Sequence, residues 1–299
     1  MIEERTVLVL GAGASKPYGL PLGYELRDAV LTGPIWVPTG EVVHGDIVYE
    51  SATLDSFCLD LAESGFSSVD AFLENRPRWT DVGKCAMAVR LLESESQAKN
   101  RLFPPHQPQD HWYEYLWSQM RASTWPAFKK QRLRVITFNY DRSLEHYLCR
   151  VVCNNYGVKA DTAMRALSVL HVHGSLGRYD GTFGGPINEA SYAEATDAIR
   201  VIHEADKQDP GFATAREWLA SAERVLFVGF GYLAANMRKL GFRTYTSWRP
   251  VPDDRLIAGT HKGIRQREWG ALCRKYGFSH EAESRGAGST VHFLSESLH

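Results

Sequence analysis

Thr6-Val7-Leu8-Val9-Leu10-Gly11-Ala12-Gly13-Ala14-Ser15 reads as a buried strand running into a glycine-rich turn. An unbroken apolar, β-branched run without polar alternation suits a strand covered on both faces, as in a parallel sheet. That makes Thr6–Leu10 the first, central strand. Beyond the turn, Leu22, Leu26, Ala29 and Val30 recur at helical spacing up to Gly33-Pro34, so the opening unit is strand, loop, helix.

Working outward, three further apolar runs have the same character: Leu133–Phe138 (LRVITF), Leu167–Val172 (LSVLHV) and Arg224–Val228 (RVLFV). Shorter strands are expected near Arg255–Ala258 and Thr290–Phe293. Helices are expected at Ser67–Leu73, Lys84–Leu92, His111–Arg121, Ser143–Asn154, Ala190–Glu204, Gly211–Ala222 and Lys262–Tyr276. In the His111–Arg121 segment, Trp112, Tyr115, Leu116 and Met120 fall on one face, for core packing, an oligomer contact or a substrate lid. Ile35–Ser51 reads as a loop or small hairpin over the sheet edge. This alternation predicts an α/β fold, a Rossmann-like doubly wound parallel sheet with helical insertions. A single domain over 1–299 is expected, with a helical insertion at about 55–130 and a C-terminal αβ extension at about 233–299.

Composition narrows the function classes. The 299 residues carry a net charge of −1, so no overall positive field favours nucleic acid. The cysteines Cys58, Cys85, Cys149, Cys153 and Cys273 form no Cys-x-x-Cys pair and read as reduced thiols of a cytoplasmic protein. No run approaches the ~20 apolar residues of a membrane helix, and nothing at the N-terminus reads as an export signal.

In an open parallel sheet the ligand crevice lies beyond the carboxyl ends of the strands, so the residues just after each apolar run matter most. After the first come Gly11-Ala12-Gly13-Ala14-Ser15, which either cradle a phosphate with backbone N–H groups or simply form a tight turn. They depart from G-x-G-x-x-G, because Lys16 stands where the third glycine would be. After the second come Asn139-Tyr140-Asp141, an amide and a carboxylate two positions apart, which point into a crevice or cap the next helix. After the third come His173-Gly174-Ser175. His171 and His173 stand at strand period two and are expected to share a face. A metal pair is one reading; a structural His171 beside a general-base His173 is the favoured one. After the fourth come Gly229-Phe230-Gly231-Tyr232, a backbone against which a nucleotide can lie, or a simple turn. The glycines from Gly174 to Gly185 make a cover loop or an ordinary surface loop.

Taken in order, GAGAS (Gly11–Ser15), TFNYD (Thr137–Asp141), HVHGS (His171–Ser175) and FVGFGY (Phe227–Tyr232) resemble the sirtuin family, and SVDAFLE (Ser68–Glu74) adds to the likeness. The match is closer to the bacterial sirtuin-like proteins of antiphage defence than to histone deacylases. The resemblance implies NAD as substrate, cleaved to nicotinamide and ADP-ribose. It implies Asn139 and His173 as the catalytic pair, and Gly11, Ala12, Gly13, Ser15, Asp141, Gly229, Gly231 and Tyr232 as NAD contacts. It also implies abortive infection as the role, silenced by homo-oligomerisation or a separate regulatory defence protein. Deacylases of the family carry two Cys pairs on a zinc module after the His-Gly motif. No cysteine lies between Cys153 and Cys273 here, so no metal is expected and water is the expected acceptor. The alternatives are a deacylase or ADP-ribosyltransferase, which needs an acceptor groove, and a non-catalytic NAD or ADP-ribose sensor, which needs no base facing the ribose.

Overall fold

The computed structural model describes residues 1–32, 42–44, 47–49, 51–104, 110–201, 209–242, 255–279 and 288–298. A five-stranded parallel sheet is built from β1 (Thr6–Leu10), β4 (Leu133–Thr137), β5 (Val169–His171), β6 (Arg224–Val228) and β7 (Leu256–Gly259), in the order β5-β4-β1-β6-β7. The first strand is central, as its unbroken apolar run requires: Val7 to Leu10 are all buried. The order reverses between β1 and β6, the switch point at which doubly wound sheets bind ligands.

Between β1 and β4 the chain forms α1 (Ala12–Ser15), α2 (Gly23–Thr32), the antiparallel hairpin β2 (Val42–His44) and β3 (Ile47–Tyr49), α3 (Ser51–Glu63), α4 (Val69–Asn75), α5 (Thr80–Ala98), α6 (Trp112–Met120) and α7 (Trp125–Phe128). Then come α8 (Ser143–Tyr156) and α9 (Ala160–Ala166) before β5, and α10 (Glu189–Ala198) and α11 (Pro210–Ser221) before β6. α12 (Ala234–Lys239) precedes β7, and α13 (Gln266–Tyr276) and α14 (Thr290–Ser297) follow it.

Two apolar clusters hold these parts. The larger packs α6, α8, α11 and α13 on the sheet. The smaller joins α2, α3, α4, α5 and α10 through Phe57, Phe72, Met87 and Tyr192, so the helices inserted after β1 carry a core of their own. Ser68 caps α4 by accepting from the Ala71 N–H at 3.2 Å, and the same first turn presents Asp70 to the Tyr140 hydroxyl at 2.5 Å. The SVDAFLE and TFNYD segments are therefore clasped together.

Several expectations are corrected. Thr290–Phe293 is the start of helix α14, not a strand. Ser289 accepts from the His292 N–H and caps it, and the apolar Phe293 and Leu294 are fully buried on one side of it. The β-branched pair Thr290-Val291 had pointed the other way. The hairpin within Ile35–Ser51 packs on α5 and α10, not over the sheet edge; 33–41, 45–46 and 50 lie outside the described residues. Helix α10 ends at Ala198, short of the expected Glu204, and 202–204 lie outside the described residues. On α6 the inward face is Trp112, Tyr113, Leu116, Trp117 and Met120, with Tyr115 only half-buried. Among the described residues no helix is long and apolar enough to cross a membrane.

Candidate functional site

The glycines after β1 and β6 interlock at the switch point. Gly11 N–H donates to the Val228 carbonyl and Gly13 N–H to the Gly229 carbonyl, both at 3.0 Å. A Cβ on Gly11 would stand 2.6 Å from the Gly229 carbonyl oxygen, and one on Gly13 2.8 Å from the Gly229 Cα. Gly229 itself has φ +58°, and a Cβ there would stand 2.0 Å from the Ala14 nitrogen. The glycines are thus required by the approach of one loop to the other. The Gly11 and Gly13 N–H groups, expected to face a pyrophosphate, are spent on that contact. Gly231 is exposed, while Ala12, Gly13 and Gly229 are all half-buried.

Asn139 leaves the end of β4 and turns toward the first loop. Its Nδ2 donates to the Gly11 carbonyl at 3.1 Å and to Ser15 Oγ at 3.0 Å. Its Oδ1 is buried with no partner. Asp141, two residues on, accepts from the Ser143 N–H at 3.1 Å and from the Ser143 hydroxyl. Burial pushes the Asp141 carboxyl above its ordinary range, against the lowering effect of bonds from Ser143 and Ser15. Tyr113 Oη lies 2.8 Å from Ser143 Oγ. Ser15, Tyr113, Asn139 and Asp141 line a cavity of about 10 Å³, room for roughly one water molecule. The structure brings Asn139 to Gly11 and Ser15, and sets Asp141 with Asn139 and Ser15 around the small cavity.

Tyr113 and Ser143 are additions. Tyr113, Leu116, Trp117 and Met120 fall at i, i+3, i+4 and i+7, a helical stripe that would have placed Tyr113 inward. Ser143 carried only the signal of a helix start.

His171 and His173 do not share a face. The ladder between β4 and β5 stops at Thr137 and His171, and Gly174 turns the chain with φ +73°. Strand alternation therefore ends before His173. His171 points to α8: its Nδ1 donates to the Asn139 carbonyl at 2.8 Å, and its Nε2 pairs with Glu145. Both partners are acceptors, so the ring carries both protons. Burial opposes that charge, but Glu145 and the Asn139 carbonyl outweigh it and raise His171 above its ordinary value. His171 is thus the satisfied structural histidine expected.

His173 lies among aromatic rings instead. Its centroid is 5.3 Å from that of Phe138 and 5.5 Å from that of Phe212 on α11, both edge-on. It is 4% exposed, and neither ring nitrogen has a hydrogen-bond partner. Burial first, then the charges of Lys239 and Arg200, push it down to about 3, so it is neutral at pH 7. Tyr232 is drawn away from the crevice altogether. It is the non-glycine residue with positive φ among those described, +51°, and its hydroxyl donates to the Thr260 carbonyl at 2.8 Å, buried beside Trp269 and Phe278.

A second, larger cavity of about 300 Å³ opens at the β5 edge beneath α8 and α9, with Arg142, Glu145, Arg165, His171 and Arg178 among its walls. Glu145 is common to both cavities. Arg142 is fixed from behind: its N–H, Nε and Nη2 all donate to Glu95 of α5, which is fully buried. Comparison with protein-family models and with curated proteins returned no match.

Proposed function

We propose that this protein hydrolyses NAD at the bond between nicotinamide and ribose, with Asn139 and His173 as the working pair. The observation that carries this reading is the set of unpartnered polar atoms at the ends of two adjacent strands. Buried polar groups are nearly always hydrogen-bonded, and leaving one unmet costs ~1–3 kcal/mol. Asn139 Oδ1 and both nitrogens of His173 are unmet. Other buried atoms lack a protein partner too, Gln131 Oε1 and Asn236 Oδ1 among them; what sets this group apart is its place at the carboxyl ends of β4 and β5, where open parallel sheets take their ligands.

The chemistry suits the pair. As the C–N bond breaks, its electrons pass to the nicotinamide nitrogen and the ribose takes on oxocarbenium character. Asn139, with its amide nitrogen tied to Gly11 and Ser15, presents Oδ1 in one orientation to accept from an attacking water. His173, neutral at pH 7, accepts a proton from a ribose hydroxyl. Water oxygen bonds to the anomeric carbon, and one proton is released. Asp141 lies beside the ribose, with the exposed Gly231 and the half-buried Ala12 facing the remainder of the dinucleotide. The resemblance to defence sirtuins supplies the cellular role, NAD depletion under control of self-assembly or a partner.

A second reading has its own support. A sensor binds the nucleotide without turning it over, and the enclosure of His173 by Phe138 and Phe212 favours it. The experiment separating the two is incubation with NAD, following nicotinamide by chromatography beside Asn139→Ala and His173→Ala. Release by the parent protein, lost in each variant while circular dichroism is unchanged, is the expected result. NAD binding without release sends the assignment to the sensor. Release that survives in either variant removes Asn139 and His173 as the pair.

A further inference from the structure

The cavity at the β5 edge is not used by the reading above. Its floor is electrically settled, because Arg142 is paired with the buried Glu95 and His171 with Glu145. Its rim is not. Arg165 on α9 and Arg178 in the loop after β5 are both exposed, and among the described residues neither guanidinium has a hydrogen-bond or ion-pair partner. Arg165 even forgoes Asp161, the carboxylate four residues before it on the same helix and the usual partner at that spacing. Arg178 is held on a fixed loop. Its N–H donates to Glu194 at 3.1 Å, Ser175 Oγ donates to the Gly177 carbonyl at 2.9 Å, and a Cβ on Gly177 would stand 2.6 Å from the Glu194 carboxylate.

We infer that this cavity binds a phosphomonoester of sugar-phosphate size, with Arg165 and Arg178 as the two anchors of its phosphate. Two planar guanidinium forks from separate elements, facing one opening, are the arrangement that recognises a phosphate dianion. The volume of about 300 Å³ stands at the small end of the ~300–1,000 Å³ of small-molecule pockets, which suits one sugar and one phosphate. The two rim arginines outnumber the one rim carboxylate, Asp161, so the opening attracts an anion. The floor supplies the sugar's polar contacts through Ser175 and Glu145. His171 connects this floor to the other site, because the imidazole that pairs with Glu145 also holds the Asn139 carbonyl.

The test is calorimetric titration of the full chain with ribose 5-phosphate, with ribose alone as the control. The expected result is saturable binding at one site per chain, at least tenfold weaker in Arg165→Ala/Arg178→Ala, unchanged in Asn139→Ala, and absent for ribose. Both arginines are exposed, so an unchanged melting temperature is expected for the double variant and verifies that it is folded. The inference is overturned by no saturable binding, by equal binding of ribose, or by binding that survives loss of both arginines. Loss of binding in Asn139→Ala also overturns it, since that places the phosphate in the other site. Failure of the NAD reading leaves this outcome untouched, as the two cavities are probed by different variants.

Discussion

Replacing His173 with leucine should make the protein more stable, and more so in acid. The imidazole is 4% exposed, and its two nitrogens, one a donor and one an acceptor when the ring is neutral, meet no partner. Each unmet group costs ~1–3 kcal/mol. Leucine removes both while filling a similar volume. Against that gain stand the edge-on contacts with Phe138 and Phe212, ~0.5–1.5 kcal/mol each. The balance is a gain of about 1–3 kcal/mol at pH 7, or about 2–6 °C in Tm for a chain this long. The pH dependence follows from the depressed pKa. Burial holds His173 at about 3 in the folded protein, while the unfolded chain titrates near 6.5. Between those values the unfolded state binds the extra proton, so the parent loses stability as pH falls through that window. Leucine abolishes this loss, and the gap between the two proteins widens by about 1 kcal/mol from pH 7 to pH 5.5. His146 is also pushed down, to about 4, by burial and then by Arg150, but it is common to both proteins and cancels in the difference. Thermal scans and urea titrations at the two pH values measure this directly. A lower Tm for His173→Leu at pH 7 with parallel acid profiles would show that the ring is satisfied in the fold. His173 would then not be a group held ready for a ligand.

Three further outcomes test the architecture around the site. Gly229→Ala should fail to fold or lose several kcal/mol, because φ is +58° and the new Cβ meets the Ala14 nitrogen, whereas Gly231→Ala, with nothing within 4 Å, should melt within ~0.5 kcal/mol of the parent. Glu95→Ala leaves the largely enclosed Arg142 without its counter-charge, and urea titration should show a loss of about 3 kcal/mol. Glu145→Gln removes the carboxylate that raises His171. The raised imidazole stabilises the fold fully below its unfolded pKa and progressively less as pH climbs through its folded one, so the Tm penalty of this variant should be larger at pH 6 than at pH 9; a penalty that grows with pH contradicts the assignment of both protons to the ring.

What was legible in the chain was what neighbouring residues decide. Five-residue apolar runs bounded by glycine or polar residues marked β1, β4 and β6, and the alternation of runs and helical stripes marked a doubly wound α/β sheet with β1 at its centre. Asn139, Ser15 and Asp141 were legible as a group because all three follow strand ends on one side of such a sheet. What was not legible depended on partners distant in sequence. The need for glycine at Gly11 and Gly13 is created by the carbonyl of Gly229, more than two hundred residues later, so the same pattern reads equally as a phosphate cradle until the second loop is seen.

The two histidines show how far a local rule carries. Period-two alternation holds only while the strand lasts, and β5 lasts three residues, Val169–His171. Beyond Val172, which still donates to the Thr137 carbonyl, the turn at Gly174 is enough to send His173 to α11 and leave His171 with α8. That divergence separates two tasks that a shared face would have merged. His171 is bound on both nitrogens and braces the backbone of Asn139, while His173 is bound on neither. A histidine that braces has its hydrogen bonds filled by the protein; one that is to act on a substrate must leave a nitrogen unfilled, and bears the cost of doing so in the free state. By that criterion the proposed chemistry falls to His173 rather than to His171, and the stability measurement on its leucine variant reads the cost without requiring that the substrate be known.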